Sequence, residues 1–570
     1  MSLFSKPLTL ILALFFIGAQ VESLRASTPA VSSPEPIATA AAAAVLERGG
    51  NAIDAAITTA FVLAVTLPDA GNIGGGGFMT LYVEGEPLFL DYRETAPSAA
   101  NRDMYLNEDG SVDTSASVTG GRAVGVPGTV AGLWASHQRF GTLPWPELLE
   151  PAIKLAENGY TAPAWLAQDI ADAHDRLNGK TNFSNYFGGV ESGLVFAQPE
   201  LAATLRRIAT RGRDGFYQGE TARLILQQMS RSDGLIRQVD LSNYEARWRE
   251  PIRSQWREFE VVTAPPPSSG GIAILQYLAM KAALEAEFEG IAHNTPQYIH
   301  LKAEIEKRIF ADRAQHLGDP DFVEIPMAEL LSEAYLLARA KEINPERPTA
   351  TKDVRARPEP MHTTHFSILD SAGNAVSNTY TLNTSFGSGV VVEGGGFLLN
   401  NEMDDFSAAP GQPNYYGVVG DEANAIAPGK RMLSSMSPTI LLRDTDTGKE
   451  PAMVVGAMGG STIFTTVYQI MSNIVEFGMS AAQAQSAPKV HHQLLPSQLI
   501  TFSPSTPLPE ATIEALQARG YEVRPHPWEF GNVQLIWVDE NGVTTAAPDP
   551  RFAGTAWIGD PSPAGATDQN

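Results

Sequence analysis

The spacing of apolar residues along the chain predicts a mixture of helices and strands. Apolar positions recur every three or four residues in several segments, which predicts helices at 38–47, 55–65, 148–157, 201–210, 272–287 and 462–477. Alternating or continuous runs of β-branched and aromatic residues predict strands at 78–83, 363–370, 375–381 and 534–537. Both kinds of element occur before and after the middle of the chain, so the expected fold class is α+β.

The character of the chain changes between residues 349 and 363. The stretch 145–347 is predicted to be largely helical, whereas the chain turns β-rich from Thr363 onward. Charged residues and prolines fill 352–360, which predicts an exposed linker between the two parts. Beyond it, Ala372-Gly373-Asn374 separates two predicted strands and favours a hairpin. The polar stretch 560–570 is expected to be a disordered tail.

Composition narrows the class of protein. With 43% hydrophobic and 18% charged residues, the 570-residue chain is typical of a globular protein with a large core. Its net charge of −24 argues against nucleic acid, because phosphate binding needs clustered Lys and Arg. The chain has no cysteine, which excludes disulfides, cysteine nucleophiles and cysteine metal sites.

The first 26 residues have the pattern of a secretory signal peptide. Lys6 supplies a positive charge, residues 8–17 form a short apolar run, and small residues follow. We expect cleavage between Ala19 and Ala26 and a secreted or periplasmic mature chain. The alternative is an uncleaved membrane anchor, for which the run is short.

Thr363 stands at the head of a predicted strand, directly after the predicted linker. A threonine hydroxyl in this place can attack the preceding carbonyl, and the resulting acyl shift leads to cleavage. The new α-amino group, with a pKa of about 7.7–8.0, is partly neutral near pH 7 and can act as the base that a threonine nucleophile needs. Considered alone, the segment also fits an ordinary strand.

An extended pattern of residues decides between these interpretations. The pattern comprises Thr363-Thr364-His365, Ser367-Ile368, Gly373-Asn374, Val376-Ser377, Thr379, Thr381-Leu382-Asn383, Phe386-Gly387, residues 400–406, 433–438 and 459–461, Ala487-Pro488, residues 491–493 and 549–551, and, earlier, residues 74–78, 91–94 and 125–129. Together these positions closely resemble the γ-glutamyltransferase family, and the resemblance spans essentially the whole mature chain.

The resemblance implies an N-terminal-nucleophile hydrolase fold, in which two stacked antiparallel sheets lie between helical layers in an αββα sandwich. It implies that the precursor cuts itself between His362 and Thr363. Residues 27–362 would form a large subunit and residues 363–570 a small one, and the two would remain together as a heterodimer. The family needs no cofactor and no metal for catalysis.

The resemblance also implies a role for each site residue, although each has an ordinary structural explanation as well. Thr381 would assist the nucleophile, and the N–H groups of Gly459 and Gly460 would bind the oxyanion. The other expected contacts are Arg93, Ser434 and Ser435 for the α-carboxylate, Asn383, Glu402 and Asp405 for the α-ammonium, and Tyr416 in a lid at 409–417. The structural alternatives are a strand residue for Thr381, a helix-entry turn for the glycines, a surface salt bridge from Arg93 to Glu94, and a solvated turn at Asp404-Asp405.

The implied activity is cleavage of glutathione and other γ-glutamyl amides, with transfer to water, amino acids or dipeptides. Two alternatives stay open: a cephalosporin or glutaryl acylase of the same fold, and an inactive secreted binding protein. One departure from bacterial members is Ala457-Met458, where Ser-Pro is common, and we expect it to change rate and not class. His365, His491 and His492 are not expected to bind a metal.

Overall fold

A computed structural model describes residues 27–350, 363–446 and 448–560. The predicted signal peptide, linker and polar tail lie outside these residues, apart from their edges. The strands of the described chain are β1 (Ala30–Ser33), β2 (Gly76–Val83), β3 (Glu86–Tyr92), β4 (Tyr160–Thr161), β5 (Val195–Phe196), β6 (Arg247–Arg249), β7 (Ile252–Trp256), β8 (Phe259–Thr263), β9 (Thr363–Leu369), β10 (Ala375–Thr381), β11 (Thr439–Thr445), β12 (Gly448–Ala457), β13 (Val490–His492), β14 (Leu499–Phe502), β15 (Glu522–Pro525), β16 (Val533–Val538), β17 (Thr544–Pro548) and β18 (Thr555–Ile558).

Two large antiparallel sheets form the centre of the molecule. The strand order is β18-β1-β9-β10-β2-β3-β6 in the first sheet and β17-β16-β12-β11-β8-β7 in the second. Apolar side chains of both sheets, including Tyr82, Ile440 and Ile536, pack between them. In both sheets, strands from before residue 350 pair with strands from after residue 363. The two parts of the chain therefore share their hydrogen-bond ladders.

Helices cover the outer face of each sheet. Their bounds are α1 (Pro36–Glu47), α2 (Ala52–Thr66), α3 (Thr114–Val118), α4 (Thr129–Phe140), α5 (Trp145–Asn158), α6 (Ala164–Leu177), α7 (Phe183–Phe187), α8 (Pro199–Arg211), α9 (Asp214–Tyr217), α10 (Gly219–Arg231), α11 (Gln238–Asn243), α12 (Gly270–Ala283), α13 (Glu285–Phe288), α14 (Pro296–His316), α15 (Met327–Leu330), α16 (Glu333–Lys341), α17 (Ile463–Val475), α18 (Ala481–Ser486) and α19 (Glu510–Ala518). Helix α2 lies on the first sheet, and α17 packs on the second together with α12. The layers are αββα, which confirms the expected fold.

The β9–β10 hairpin places the two threonines singled out by the sequence side by side. Its turn contains Gly373 at φ +80°, a conformation that glycine adopts without strain. From this turn the antiparallel register runs back until Thr363, the first residue of β9, lies opposite Thr381, the last residue of β10. A separation of 18 residues in sequence thus becomes direct adjacency at one end of the sheet.

Glycines 74–77 allow β2 to approach this same end of the sheet closely. A Cβ atom on Gly75 would collide with the carbonyl oxygen of Thr381, and one on Gly76 would lie 2.6 Å from the carbonyl oxygen of Tyr92. Only glycine fits between these carbonyls. The segment therefore allows close packing of the backbone beside Thr363 and Thr381. It leads into β2, as the sequence predicts.

Two details differ from the sequence prediction. The stretch 145–347 contains the strands β6, β7 and β8, which are short and lie at or near sheet edges, so that their apolar alternation is weak. The helix predicted at 272–287 is divided at Leu284, whose φ of −108° and ψ of 26° end α12 before α13 begins. Within the described residues, no helix is both long and apolar enough to cross a lipid bilayer.

Candidate active site

A small cavity opens at the end of the β9–β10 hairpin. Its lining comprises Arg93, Arg313, Thr363, Thr381, Asn383, Glu402, Asp405, Asn414, Tyr416, Val418, Ser435, Met436, Gly460, Ser461 and Ile463. Nine of the eleven residues expected from the sequence are in this set. The other two, Gly459 and Ser434, directly precede the lining residues Gly460 and Ser435 in the chain. The Oγ of Ser434 accepts a hydrogen bond from the N–H of the lining residue Met436 at 3.1 Å.

Thr363 and Thr381 contact each other through their hydroxyls. The two Oγ1 atoms are 3.4 Å apart, and the Oγ1 of Thr381 also accepts a 2.8 Å hydrogen bond from the N–H of Asn383. This second bond fixes the Thr381 rotamer. Both threonines are buried, so a reaction at the Thr363 hydroxyl would take place largely shielded from bulk water.

The loop between β12 and α17 presents two consecutive glycines to the cavity. Gly459 has φ +134° and Gly460 has φ +50°, both in the region that side chains disfavour. Among the described residues, neither glycine N–H has a hydrogen-bond acceptor. The loop enters a short 3₁₀ turn at Gly460–Thr462 before α17 begins, so the helix-entry explanation also holds. Free N–H donors at a helix entry are suited to an oxyanion.

Met458 helps to hold this loop in place, although the chain has Ala457-Met458 where a Ser-Pro pair was expected. Its N–H donates to the carbonyl oxygen of Asn532 at 3.2 Å, and its own carbonyl accepts from the N–H of Gly531 at 3.2 Å. A proline at this position would lack the N–H and could not make the first bond. Met458 therefore adds one backbone hydrogen bond to the neighbouring loop that a proline could not make.

We expect Gly460→Ala to lower kcat about 100-fold while changing KM little, because a side chain at φ +50° would turn the N–H donor away from the cavity. Gly478→Ala is the matched control: Gly478 has φ +63°, is exposed, and its Cβ would meet no atom within 4 Å. Steady-state kinetics and thermal unfolding of both variants separate backbone strain from catalysis. Equal kinetic losses in the two variants would contradict an oxyanion role.

Arg93 is the centre of a buried ionic cluster. Its guanidinium lies 2.6 Å from Glu402, 2.5 Å from Asp405 and 3.6 Å from Glu94. The Arg93 side chain is 1% exposed and that of Glu94 is fully buried, so a surface salt bridge between them is wrong. Asp404 is also buried, which excludes a solvated turn.

Burial disfavours the ionised forms of the carboxyl groups in this cluster. Desolvation raises the pKa of Glu94 to about 8 and raises that of Glu402 well above its usual range, although Arg93 opposes both shifts. Desolvation also raises the pKa of Asp405, opposed by Arg93 and Arg313. A cation placed among these carboxyl groups would favour their ionised forms and would in turn be bound by them.

The predicted lid lies over the cavity. The hydroxyl of Tyr416 donates to the carbonyl oxygen of Asn383 at 2.8 Å and also contacts its side-chain Oδ1, and Tyr416 is 8% exposed. Asn414 donates to Asp405 at 3.2 Å, and the N–H of Tyr415 donates to Asp404 at 2.9 Å. The segment is therefore tied to the acidic residues it covers.

Sequence reasoning missed several lining residues, chiefly Arg313 and Asn414. Asn414 lies within the predicted lid, so its proximity to Tyr416 was a usable signal. Arg313 lies on α14, one of many charged residues in a helix that is buried along most of its length. No local pattern distinguishes it from its neighbours, and only the fold brings it to Ser435.

The three histidines have structural partners. His365 hydrogen-bonds Thr379 at 2.7 Å and Ser367 at 3.1 Å, and burial lowers its pKa to about 3. His491 contacts Thr465 and Gln493, and burial lowers the pKa of His492 to about 4. Within the described part of the chain, no three His, Asp or Glu side chains are grouped to hold a metal ion.

Comparisons with known proteins identify relatives that match almost the whole chain. The family model described as γ-glutamyltranspeptidase matches residues 38–558. The glutathione hydrolase proenzyme of Pseudomonas aeruginosa is 54% identical over 529 residues, which cover 93% of this chain and 94% of that protein.

Two solved structures are similar over long stretches. The γ-glutamyltranspeptidase from Pseudomonas nitroreducens complexed with L-DON is 54% identical, covers 56% of this chain and 95% of its own, and has a TM-score of 0.55. The cephalosporin acylase from Bacillus halodurans is 28% identical, covers 97% of this chain and 100% of its own, and has a TM-score of 0.80. From the family match and the sequence identity, we conclude that the chain belongs to the γ-glutamyltranspeptidase family.

Proposed function

We propose that this protein is a γ-glutamyltransferase and glutathione hydrolase that cuts itself before Thr363 and then uses Thr363 as its nucleophile. The observation that carries the proposal is the cavity itself. It holds the Thr363 hydroxyl, a glycine whose N–H has no acceptor among the described residues, and the arginines Arg93 and Arg313 beside the acidic residues Glu402 and Asp405. The similarity to a glutathione hydrolase proenzyme supports the same activity.

The proposed reaction has two covalent steps. The Oγ1 of Thr363 attacks the γ-carbonyl carbon, and its proton passes to the α-amino group that cleavage has freed on the same residue. The N–H groups of Gly459 and Gly460 stabilise the negative oxygen of the tetrahedral intermediate. Its collapse breaks the C–N bond, the α-ammonium returns the proton to the leaving amine, and an ester to Thr363 remains. Water or an acceptor amine then attacks this ester by the reverse sequence.

Recognition of the donor follows from the charges. A γ-glutamyl group carries an α-ammonium and an α-carboxylate on the carbon farthest from the reacting carbonyl. Asp405 and Glu402 offer acceptors to the ammonium, and Asn383 lies beside them under Tyr416. When a buried site matches both charges of a zwitterion, the free-energy cost of desolvating the ligand is largely offset, because each charge exchanges water for a fixed partner of opposite charge.

The second candidate is a cephalosporin or glutaryl acylase, which the similarity to the Bacillus halodurans structure favours. A glutaryl group lacks the α-ammonium and would leave Asp405 and Glu402 with no ligand cation. The presence of Asp405 and Glu402 in the cavity therefore argues for the γ-glutamyl donor. An inactive binding protein is disfavoured because Thr363, Thr381 and Gly460 are all in place.

The deciding experiment compares anilide release from γ-glutamyl-p-nitroanilide and glutaryl-p-nitroanilide, each with and without glycylglycine. We expect a preference for the γ-glutamyl substrate of on the order of 100-fold in kcat/KM, because the acidic pair lacks its partner with the glutaryl substrate. Glycylglycine should accelerate release from the γ-glutamyl substrate by attacking the ester. Preference for the glutaryl substrate with no acceptor effect would make the protein an acylase.

We also propose export and a two-subunit mature form. The sequence of the first 26 residues supports a signal peptide. The subunits would be residues 27–362 and 363–570, held together because each contributes strands to both sheets. N-terminal sequencing of the secreted protein should give one start between residues 20 and 27 and a second at Thr363.

A further inference from the structure

Thr462 binds the peptide unit that joins the two glycines of the β12–α17 loop. The carbonyl oxygen of Gly459 accepts two hydrogen bonds from Thr462, one from its N–H at 3.0 Å and one from its Oγ1 at 2.8 Å. Thr462 is fully buried and is not one of the residues that line the cavity. Its hydroxyl would therefore act on a reaction in the cavity only through Gly459.

The geometry of a trans peptide transmits this restraint to Gly460. The bond between Gly459 and Gly460 is trans, so the carbonyl oxygen of Gly459 and the N–H of Gly460 lie in one plane and point in opposite directions. Because the carbonyl is held on the side of Thr462, the N–H is directed to the other side. Gly460 lines the cavity, and its N–H has no acceptor among the described residues.

Two consecutive glycines leave this peptide unit easy to rotate. Gly459 and Gly460 both have positive φ, and glycine has more accessible backbone conformations than any other residue. A rotation of the unit would turn the N–H of Gly460 away from the cavity. A Cβ atom on Gly459 would lie 2.2 Å from the Oγ1 of Thr462, so the absence of a side chain makes room for this hydroxyl. The same glycine thus makes the unit flexible and admits the group that restrains it.

We propose that the Thr462 hydroxyl is a positioning group, which keeps the Gly459–Gly460 peptide unit in the orientation that presents the N–H of Gly460 to the oxyanion. Hydrogen bonds accepted by the carbonyl also polarise the peptide unit and strengthen its N–H as a donor. The proposal rests on the proposed function, in which formation and breakdown of the Thr363 ester both pass through a tetrahedral intermediate. The hydroxyl should therefore affect the transition states of both steps and leave donor binding unchanged.

The first test removes the hydroxyl but keeps the shape of the side chain. For Thr462→Val we expect kcat with γ-glutamyl-p-nitroanilide to fall about tenfold and KM to change less than about twofold. The loss is moderate because the backbone N–H at this position still binds the carbonyl of Gly459. Thr462→Ser keeps the hydroxyl and should retain about half of kcat or more.

Thr466→Val is the matched control for this substitution. Thr466 is also fully buried, lies one helical turn further along in α17, and its Oγ1 has no hydrogen-bond partner among the residues that the structure describes. The control loses the same hydroxyl from the same helix without loss of a hydrogen bond. Its kcat should stay within about twofold of that of the unaltered protein.

A boronic acid analogue of the donor reports the orientation of the loop directly. 2-Amino-4-boronobutanoic acid has boron in the place of the γ-carbonyl carbon. The Oγ1 of Thr363 forms a bond to boron, and its proton passes to the α-amino group of the same residue. The product is a negatively charged tetrahedral boronate, which resembles the intermediate. In Thr462→Val the Ki of this compound should rise by about the same factor by which kcat falls.

Three results would overturn the proposal. They are an unchanged kcat and boronate Ki in Thr462→Val, a rise in KM alone, and an equal fall of kcat in Thr466→Val. Should Thr462→Val remain uncut, Thr462→Ala is measured by the same criteria. If that chain also stays uncut, the hydroxyl serves folding or self-cleavage and the proposal is wrong. Failure of the proposed function is distinguishable, because the unaltered protein would then neither release anilide from γ-glutamyl-p-nitroanilide nor bind the boronic acid.

Discussion

Thr363→Ala is expected to remain one uncut chain with no measurable anilide release. The variant lacks the hydroxyl that attacks the preceding carbonyl, and without cleavage no α-amino group is freed to act as base. Loss of the nucleophile should lower activity by on the order of 10⁴-fold or more. Denaturing electrophoresis and intact mass of the purified protein report the cut, and the γ-glutamyl-p-nitroanilide assay reports the activity.

Thr364→Ala is the matched control for this experiment. Thr364 is the next residue of β9 and is similarly buried, and its Oγ1 has no hydrogen-bond partner among the residues that the structure describes. Successive side chains of a strand point to opposite faces, so this hydroxyl is directed away from that of Thr363. The control should be cut and active. A Thr363→Ala chain that is still cut before residue 363 would show that another group performs the cleavage.

Asp405→Asn is expected to raise KM for γ-glutamyl-p-nitroanilide by about 100- to 1,000-fold while the chain is still cut. The substitution keeps the shape of the side chain but removes the charge that we propose binds the α-ammonium. It also leaves Arg93 with only Glu402 and the more distant Glu94 as ion partners, so the cluster loses part of its order. The same variant should lose much less activity with glutaryl-p-nitroanilide, which has no ammonium to bind.

Asp404→Asn is the corresponding control. Asp404 accepts hydrogen bonds from Ser117 at 2.6 Å and from the N–H of Tyr415 at 2.9 Å, and it does not line the cavity. Burial raises its pKa to about 7, so a neutral side chain is already partly populated there. We expect a change in KM of less than about threefold for this variant. If Asp405→Asn abolished cleavage as strongly as donor binding, Asp405 would have a structural role instead.

The sequence predicted the parts of the site that depend on local pattern. The β9–β10 hairpin could be predicted because two strands and a glycine turn are adjacent in the chain, and the pairing of Thr363 with Thr381 follows from that register. The αββα arrangement came from the family resemblance, since no local pattern specifies how sheets stack.

Contacts that only the folded chain creates could not be predicted from the sequence. The ion pairs of Arg93 with Glu402 and Asp405 join segments more than 300 residues apart, so they become visible only in the folded chain. Arg313 could not be singled out either, because only the fold brings it to Ser435. Strands β6 and β7 were missed because they are short edge strands with weak apolar alternation.

The interleaving of strands in the two sheets has a consequence for refolding. In the first sheet, β9 and β10 lie between β1 and β2, so neither half can form the complete sheet without the other. While the chain is continuous, the halves meet by an intramolecular search whose rate is independent of concentration. Once it has been cut, denatured halves diffuse apart, and recovery becomes a second-order encounter between partners with open, aggregation-prone edges. Self-cleavage would thus make unfolding effectively irreversible. The lifetime of the mature enzyme would then be set by its unfolding rate.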